Sequence, residues 1–185
     1  ILFYATLLVQ ARTGDRDRDV RGSNFRFDHR HLDIGFANDA DPNFPGIGCI
    51  DFKHPEIRNE RLSLIKETLK KYPLDGLELQ LNQVPYYFHP QEVEQGCKTM
   101  TEWIATVYSE VKASGSEREL VIRVPASIEG CLSVGLDIRE WIKRGIVDVI
   151  VGNTFAEPEL IDPMANFRPL VEAAKGSNCR IHAAI

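Results

Sequence analysis

The sequence predicts an α/β protein built on a parallel sheet, from three observations. Strand-like runs begin near Ile1, Asp75, Glu119, Val147 and Cys179, and helical stripes separate them. From Gly76 to Asn82 the chain alternates, with Leu77, Leu79 and Leu81 apolar and Gly76, Glu78, Gln80 and Asn82 small or polar, so this strand has two unlike faces. Repeated βα order with right-handed crossovers leaves a closed barrel or a doubly wound sheet, and polar residues inside the strands favour the (β/α)8 barrel.

Each element has its own warrant. Ile1 to Gln10 is apolar and β-capable, with Tyr4, Thr6 and Gln10 on one parity. Ala11 to Ile50 has almost no periodicity, far beyond the usual connection of about 4 to 6 residues, and a long loop after a barrel strand commonly walls an active site. Within it Asp15, Asp17 and Asp19 imitate the start of a calcium loop, but Val20 and Arg26 stand where that loop needs Gly and Glu, so a solvated ion-pair network with Arg16, Arg18 and Arg21 is the simpler expectation. Pro55 suits a first helical turn, and Ile57, Leu62, Ile65 and Leu69 trace a stripe to Lys71. Met100, Trp103, Ile104, Val107, Tyr108 and Val111 make the next stripe, closed by Gly115, which puts the Trp and Tyr in the core. Val121 to Val124 is a strand, Pro125 to Leu136 a loop, and Ile138, Trp141 and Ile142 a short helix ended by Gly145. Val147 to Val151 is a wholly apolar strand, Leu160 to Lys175 holds a helix stopped by Gly176, and Cys179 to Ile185 is the last strand. His182 within it is expected as a packed core group.

At 185 residues, 43% apolar and 26% charged, the chain has the composition of one soluble domain with a real core. Both ends fall in apolar runs, and a full barrel needs about 250 residues, so a partial barrel of about five βα units is expected over residues 1–185. The net charge of −5 disfavours a nucleic-acid partner and is compatible with neutral sugars. No apolar run approaches the roughly 18 residues of a membrane span. The sequence leaves compartment and oligomeric state open; a signal peptide lost with the N-terminus would make the protein secreted or periplasmic. Cys49, Cys97, Cys131 and Cys179 include no C-x-x-C pair, so buried or free thiols are expected rather than zinc. With no Gly-rich loop after a strand, no phosphate or dinucleotide cofactor is expected either.

The segment Asp51 to Arg58, Asp-Phe-Lys-His-Pro-Glu-Ile-Arg, is followed by a helix and then by Tyr72 to Gln80, Tyr-Pro-Leu-Asp-Gly-Leu-Glu-Leu-Gln, with Pro85 beyond. This arrangement resembles the core signature of the glycosyl hydrolase-like 10 family of TIM barrels. That signature pairs an Asp-Pro-x-His-Pro-Glu-Val-Arg segment with an Asp-Gly-Ile-x-x-Asp-Asp strand and a Pro at its mouth. Spacing agrees from Asp75 to Pro85, with Gln80 and Leu81 where the family pattern has two Asp. The resemblance implies a TIM barrel whose strands three to seven are the five present, and an activity on glycosidic bonds.

Glycoside hydrolysis needs two carboxyl groups, about 5 to 5.5 Å apart for retention or about 6.5 to 9.5 Å for inversion. Glu78 on the central strand and Glu129 in the next βα loop are the candidates. Gln80, Asn82, Arg123, Asn153, His182, His29, His31 and Tyr86 are candidates to bind an oligosaccharide or polysaccharide. Arg123 and Glu78 fall on the inner faces of adjacent strands, and buried charges normally pair, so they are expected to meet. Gln80, an amide, cannot exchange a proton as the family's carboxylate would, which opens the alternative of a barrel that binds carbohydrate without hydrolysing it. In that alternative Tyr86, Tyr87 and Phe88 line the rim. A metal-dependent hydrolase using His29, His31 and His89 lacks any H-x-x-x-H spacing.

Overall fold

The computed structural model describes residues 2–9, 23–153 and 165–184. The calcium-loop reading of Asp15, Asp17 and Asp19 falls outside them. Strand β1 is Tyr4–Leu8, helix α1 Asn24–Asp28, α2 Pro55–Lys71, β2 Gly76–Gln80, α3 Val93–Ser114, β3 Glu119–Pro125, α4 Ile128–Leu132, α5 Ile138–Arg144, β4 Val149–Asn153, α6 Arg168–Ala174 and β5 Arg180–Ala184.

Local chemistry sets these boundaries. Pro55 opens α2, where its missing N–H is no loss, and the helix stops at Tyr72, which is extended because Pro73 follows. α5 ends at Gly145, whose φ of 63° lies in the left-handed region, and its amide bonds back to the helix carbonyls. Two of the departures from expectation have a clear local cause. The segment 125–136 is not plain loop: Ser127 caps α4 by accepting from Gly130 N–H at 3.0 Å. β4 starts at Val149 rather than Val147, because Ile146 and Val147 are spent on burial in the turn after Gly145.

The five strands lie in the order β1-β2-β3-β4-β5, every adjacent pair parallel. A doubly wound sheet reverses its strand order at a switch point, and no reversal occurs across these five. Crossovers of one hand in one direction put the helices on one face. The main core follows: Leu77, Leu79 and Leu81 of β2, Leu120, Ile122 and Val124 of β3 and Ile150 of β4 pack with Ile65, Met100, Ile104, Trp141 and Leu170 of the helices. On the other face Val121, Val149 and Val151 make a small separate cluster with Tyr4 and Ala184, among polar neighbours. Trp103 is buried in the main core and Tyr108 packs against it, as the helical stripe predicts.

The described part of the long segment before Cys49 is shorter of regular structure than of anchors. Ser23 caps α1, Arg30–Leu32 forms one 3-10 turn, and Asp33 bridges Ile50 antiparallel. Arg26, 2% exposed, pairs with Asp33 and donates to the Gly48 carbonyl at 2.7 Å. This segment packs onto the loop after β2: Phe52 N–H donates to the Tyr87 carbonyl at 2.8 Å, and the rings of Phe44 and Tyr86 meet edge-on at 5.3 Å. It therefore stands at the carboxyl end of β2.

Two expectations about aromatics and histidine are corrected. Tyr87 and Phe88 are not rim groups; both are buried, the Tyr87 hydroxyl donating to the Leu81 carbonyl at 2.9 Å and the Phe88 ring seated against Gly96 and Gly135. The loop folds back on the strand that launches it, so consecutive aromatics go inward. His182 is exposed rather than packed, because β5 is the last strand of the sheet and has only β4 beside it.

Candidate functional site

β2 pairs residue by residue with β1 and β3, so Glu78 faces Thr6 and Val121, and Gln80 faces Leu8 and Arg123. Arg123 reaches diagonally down one step, and its Nε donates to Glu78 Oε1 at 2.6 Å. Thr6 Oγ1 donates to the other carboxylate oxygen at 3.4 Å. The expected Arg123–Glu78 contact is thus present, with side chains 25% and 15% exposed. It lies on the face that is helix-free among the described residues.

One step toward the amino ends of the strands, a second carboxylate on the same face is engaged twice. Glu119 of β3 accepts from the Tyr4 hydroxyl of β1 and pairs with Arg180 of β5. Gly76 of β2 makes this possible, since a Cβ there would collide with the Tyr4 ring. Burial first, and then the hydrogen bond to Glu119, push the Tyr4 phenol up to about 12.

Toward the carboxyl ends the face turns to neutral polar groups. Gln80 is half-buried, and Asn82 just past β2 is 6% exposed, its Oδ1 without a hydrogen-bond partner among the described residues. Asn153 ends β4, half-buried and level with Pro125 of β3 and Ala184 of β5, while His182 is level with Val151. Glu78, Gln80, Arg123, Asn153 and His182 therefore share one face, and Asn82 follows β2 on the same parity.

The remaining candidates lie elsewhere. Glu129 is exposed in the first turn of α4, off the strand that carries Glu78. His29 has its Nδ1 2.7 Å from the Phe25 carbonyl and its ring stacked on Phe25, with the exposed His31 ring 5.7 Å away. Tyr86 is held against Phe44. His89 is occupied at both ring nitrogens, Nδ1 accepting from Gln91 N–H and Nε2 lying 3.1 Å from the Asp39 carbonyl. No group of three or more His, Cys, Asp or Glu is placed to hold a metal among the described residues. All four cysteines are free thiols.

Sequence reasoning missed the Tyr4–Glu119–Arg180 set. Parity put Tyr4 and Thr6 on the polar side, but pairing them needs the register between strands distant in sequence. It named Asp51 only as the start of the resembled segment, whereas the structure makes it a buried carboxyl held above the usual carboxylate range by burial. Asp51 accepts from Lys53 N–H at 3.0 Å and has Lys53 Nζ at 3.3 Å, while Lys53 also reaches Glu92 at 3.0 Å, so its work is to fix the approach to α2.

No family model matches the chain, and no curated protein matches it. Among solved structures it is similar to two of the GH36 α-galactosidase AgaA from Geobacillus stearothermophilus, one in complex with raffinose and one with 1-deoxygalactonojirimycin. Each shares 12% identity at a TM-score of 0.46, over 100% of this chain and 28% of the other. The chain spans less than a third of those proteins, and a likeness at that level leaves fold and chemistry to be read from the chain's own geometry. No helix among the described residues is long and apolar enough to cross a membrane.

Proposed function

We propose that the chain is a run of five consecutive βα units from a glycoside-hydrolase-like (β/α)8 barrel, whose helix-free face is the barrel interior and binds carbohydrate. The unreversed strand order supports the barrel. So does the Tyr4–Glu119–Arg180 set, because barrel interiors are filled in layers drawn from alternate strands, and these three come from β1, β3 and β5. The observation that carries the site is the Arg123–Glu78 pair, with Gln80, Asn82, Asn153 and His182 on the same face toward the carboxyl ends of the strands. Barrel active sites sit at that end, and amide groups match sugar hydroxyls by both donating and accepting.

In the hydrolytic version of this reading Glu78 and Glu129 are the carboxylates acting on O-glycosidic bonds, with Glu78 held by Arg123. A binding site without hydrolysis is favoured by two specific observations: both Glu78 oxygens already accept hydrogen bonds, and the amide of Gln80 stands where the resembled family has a carboxylate. Assays of the chain on neutral oligosaccharides separate the two. Turnover abolished by Glu78→Gln or Glu129→Gln and untouched at Gln80 establishes the hydrolase; binding without turnover, with hydrolysis gained by Gln80→Asp, establishes the binding site. General acid–base catalysis contributes about 10² to 10⁴-fold, so the gain is measurable. Absence of both binding and turnover rejects both versions.

A further inference from the structure

The charges on the helix-free face cancel in pairs. Its strand-borne charged groups among the described residues are Glu78 and Arg123, bonded to each other, and Glu119 and Arg180, bonded to each other. Each carboxylate also takes a hydroxyl, from Thr6 and Tyr4 respectively. Toward the mouth come the uncharged amides of Gln80, Asn82 and Asn153 beside the exposed His182 imidazole, with the Asn82 Oδ1 buried and without a partner among the described residues.

From this we infer that the site takes an uncharged polyhydroxylated saccharide and discriminates against uronate-bearing ones, an inference that rests on the carbohydrate reading above. An anionic sugar needs an uncompensated cation to receive it, and among the described residues each strand-borne guanidinium of this face is already offset by a carboxylate. Only the Arg123 Nε is bonded to Glu78, so a uronate at its Nη donors meets the Glu78 carboxylate that already offsets the guanidinium charge, and is repelled by it. A cationic amino sugar meets the mirror problem at the strands, since both strand-borne carboxylates are already paired and the exposed Glu129 sits on α4 instead. A hydroxyl, by contrast, can satisfy the Asn82 acceptor and exchange hydrogen bonds with Gln80 and Asn153 without disturbing either pair. The overall charge of −5 acts in the same direction against acidic polymers, while for a cationic oligomer it adds only a long-range attraction that high salt removes.

The test is calorimetric titration of the full chain with three panels: neutral hexose oligomers, oligogalacturonates and chitosan oligomers, each at low and high salt. The expected result is binding to a neutral oligomer with little salt dependence, and affinities at least roughly tenfold weaker for the two charged panels. Glu78→Gln keeps the side chain's shape but releases Arg123, and is expected to raise oligogalacturonate affinity roughly tenfold at low salt, a gain that vanishes in the Glu78→Gln, Arg123→Gln double variant. Equal or tighter binding of either charged panel by the parent overturns the inference while leaving the carbohydrate reading in place. A folded Glu78→Gln protein without the gain overturns it too. Failure of all three panels removes the carbohydrate reading, and the inference with it. The parent's selectivity decides the matter even where a variant fails to fold.

Discussion

Arg123 is the side chain whose removal says most about the polar face. Arg123→Ala deletes a charged hydrogen bond to Glu78, but water reaches both partners, at 25% and 15% exposure, so the loss falls short of that for a fully buried pair. A cost of about 1 to 2 kcal/mol in urea unfolding is expected; a stability equal to the parent's would show the pair to be incidental. Two other groups set a pH limit. Burial, aided by Glu129, pushes the Cys131 thiol from 9.0 up to about 12, and burial with Glu119 raises the Tyr4 phenol from 10.0 to about 12. The native state therefore holds both protons more tightly than the unfolded chain does. Their contribution is complete below the unfolded values and is lost as pH rises from about 9 toward 12, so the melting temperature should fall across that window. A flat profile there counts against it. The Glu78–Arg123 contact was legible in the sequence because period-two alternation on two neighbouring strands fixes which side chains share a face. Tyr87 against Tyr86 was not, since consecutive aromatics in an aperiodic loop carry no parity, and only the backfolding onto Leu81 decides which one enters the core.

At the scale of elements, glycines mark where close contact or turn geometry leaves no room for a side chain. Gly96 in α3 is buried against the Phe88 ring, so Gly96→Ala gains helix propensity but overpacks this contact. The steric loss dominates, and a net destabilisation of about 1 to 3 kcal/mol is expected by thermal melting. Stabilisation instead would mean that Phe88 moves aside freely. Gly145→Ala is the gentler case. Nothing stands near its Cβ position, and the cost comes from the left-handed backbone alone, about 1 to 2 kcal/mol. The helices were readable to within a residue or two where a stripe met a cap, as in α2 and α5. The start of β4 was not, because Ile146 and Val147 are as apolar as the strand they precede and only the turn after Gly145 diverts them.

For the whole molecule, one main core runs through all five strands and the helices, and Trp103 and Trp141 are both within it. Unfolding followed by tryptophan fluorescence and by far-ultraviolet circular dichroism should therefore give coincident transitions. Separated midpoints would show that part of the sheet melts independently. The parallel order and the one-sided helices were foreseeable from repeated βα alternation, while the network over Gly76 was not, because it depends on which strands become neighbours but one.

That network also has a bearing on time. Tyr4 and Glu119 are 115 positions apart along the chain, and Glu119 and Arg180 another 61, so the carboxylate can be grasped from both sides only after β1, β3 and β5 are in place. Loop closure of that length is slow to be rewarded, which places these bonds after the folding barrier rather than before it. The Tyr4–Glu119–Arg180 set then acts as a latch: Glu119→Gln should leave the refolding rate nearly unchanged and speed unfolding, so that the variant is lost chiefly in kinetic lifetime. Slowed refolding in stopped-flow measurements would instead mean that the outer strands meet early and that the latch helps to build the sheet.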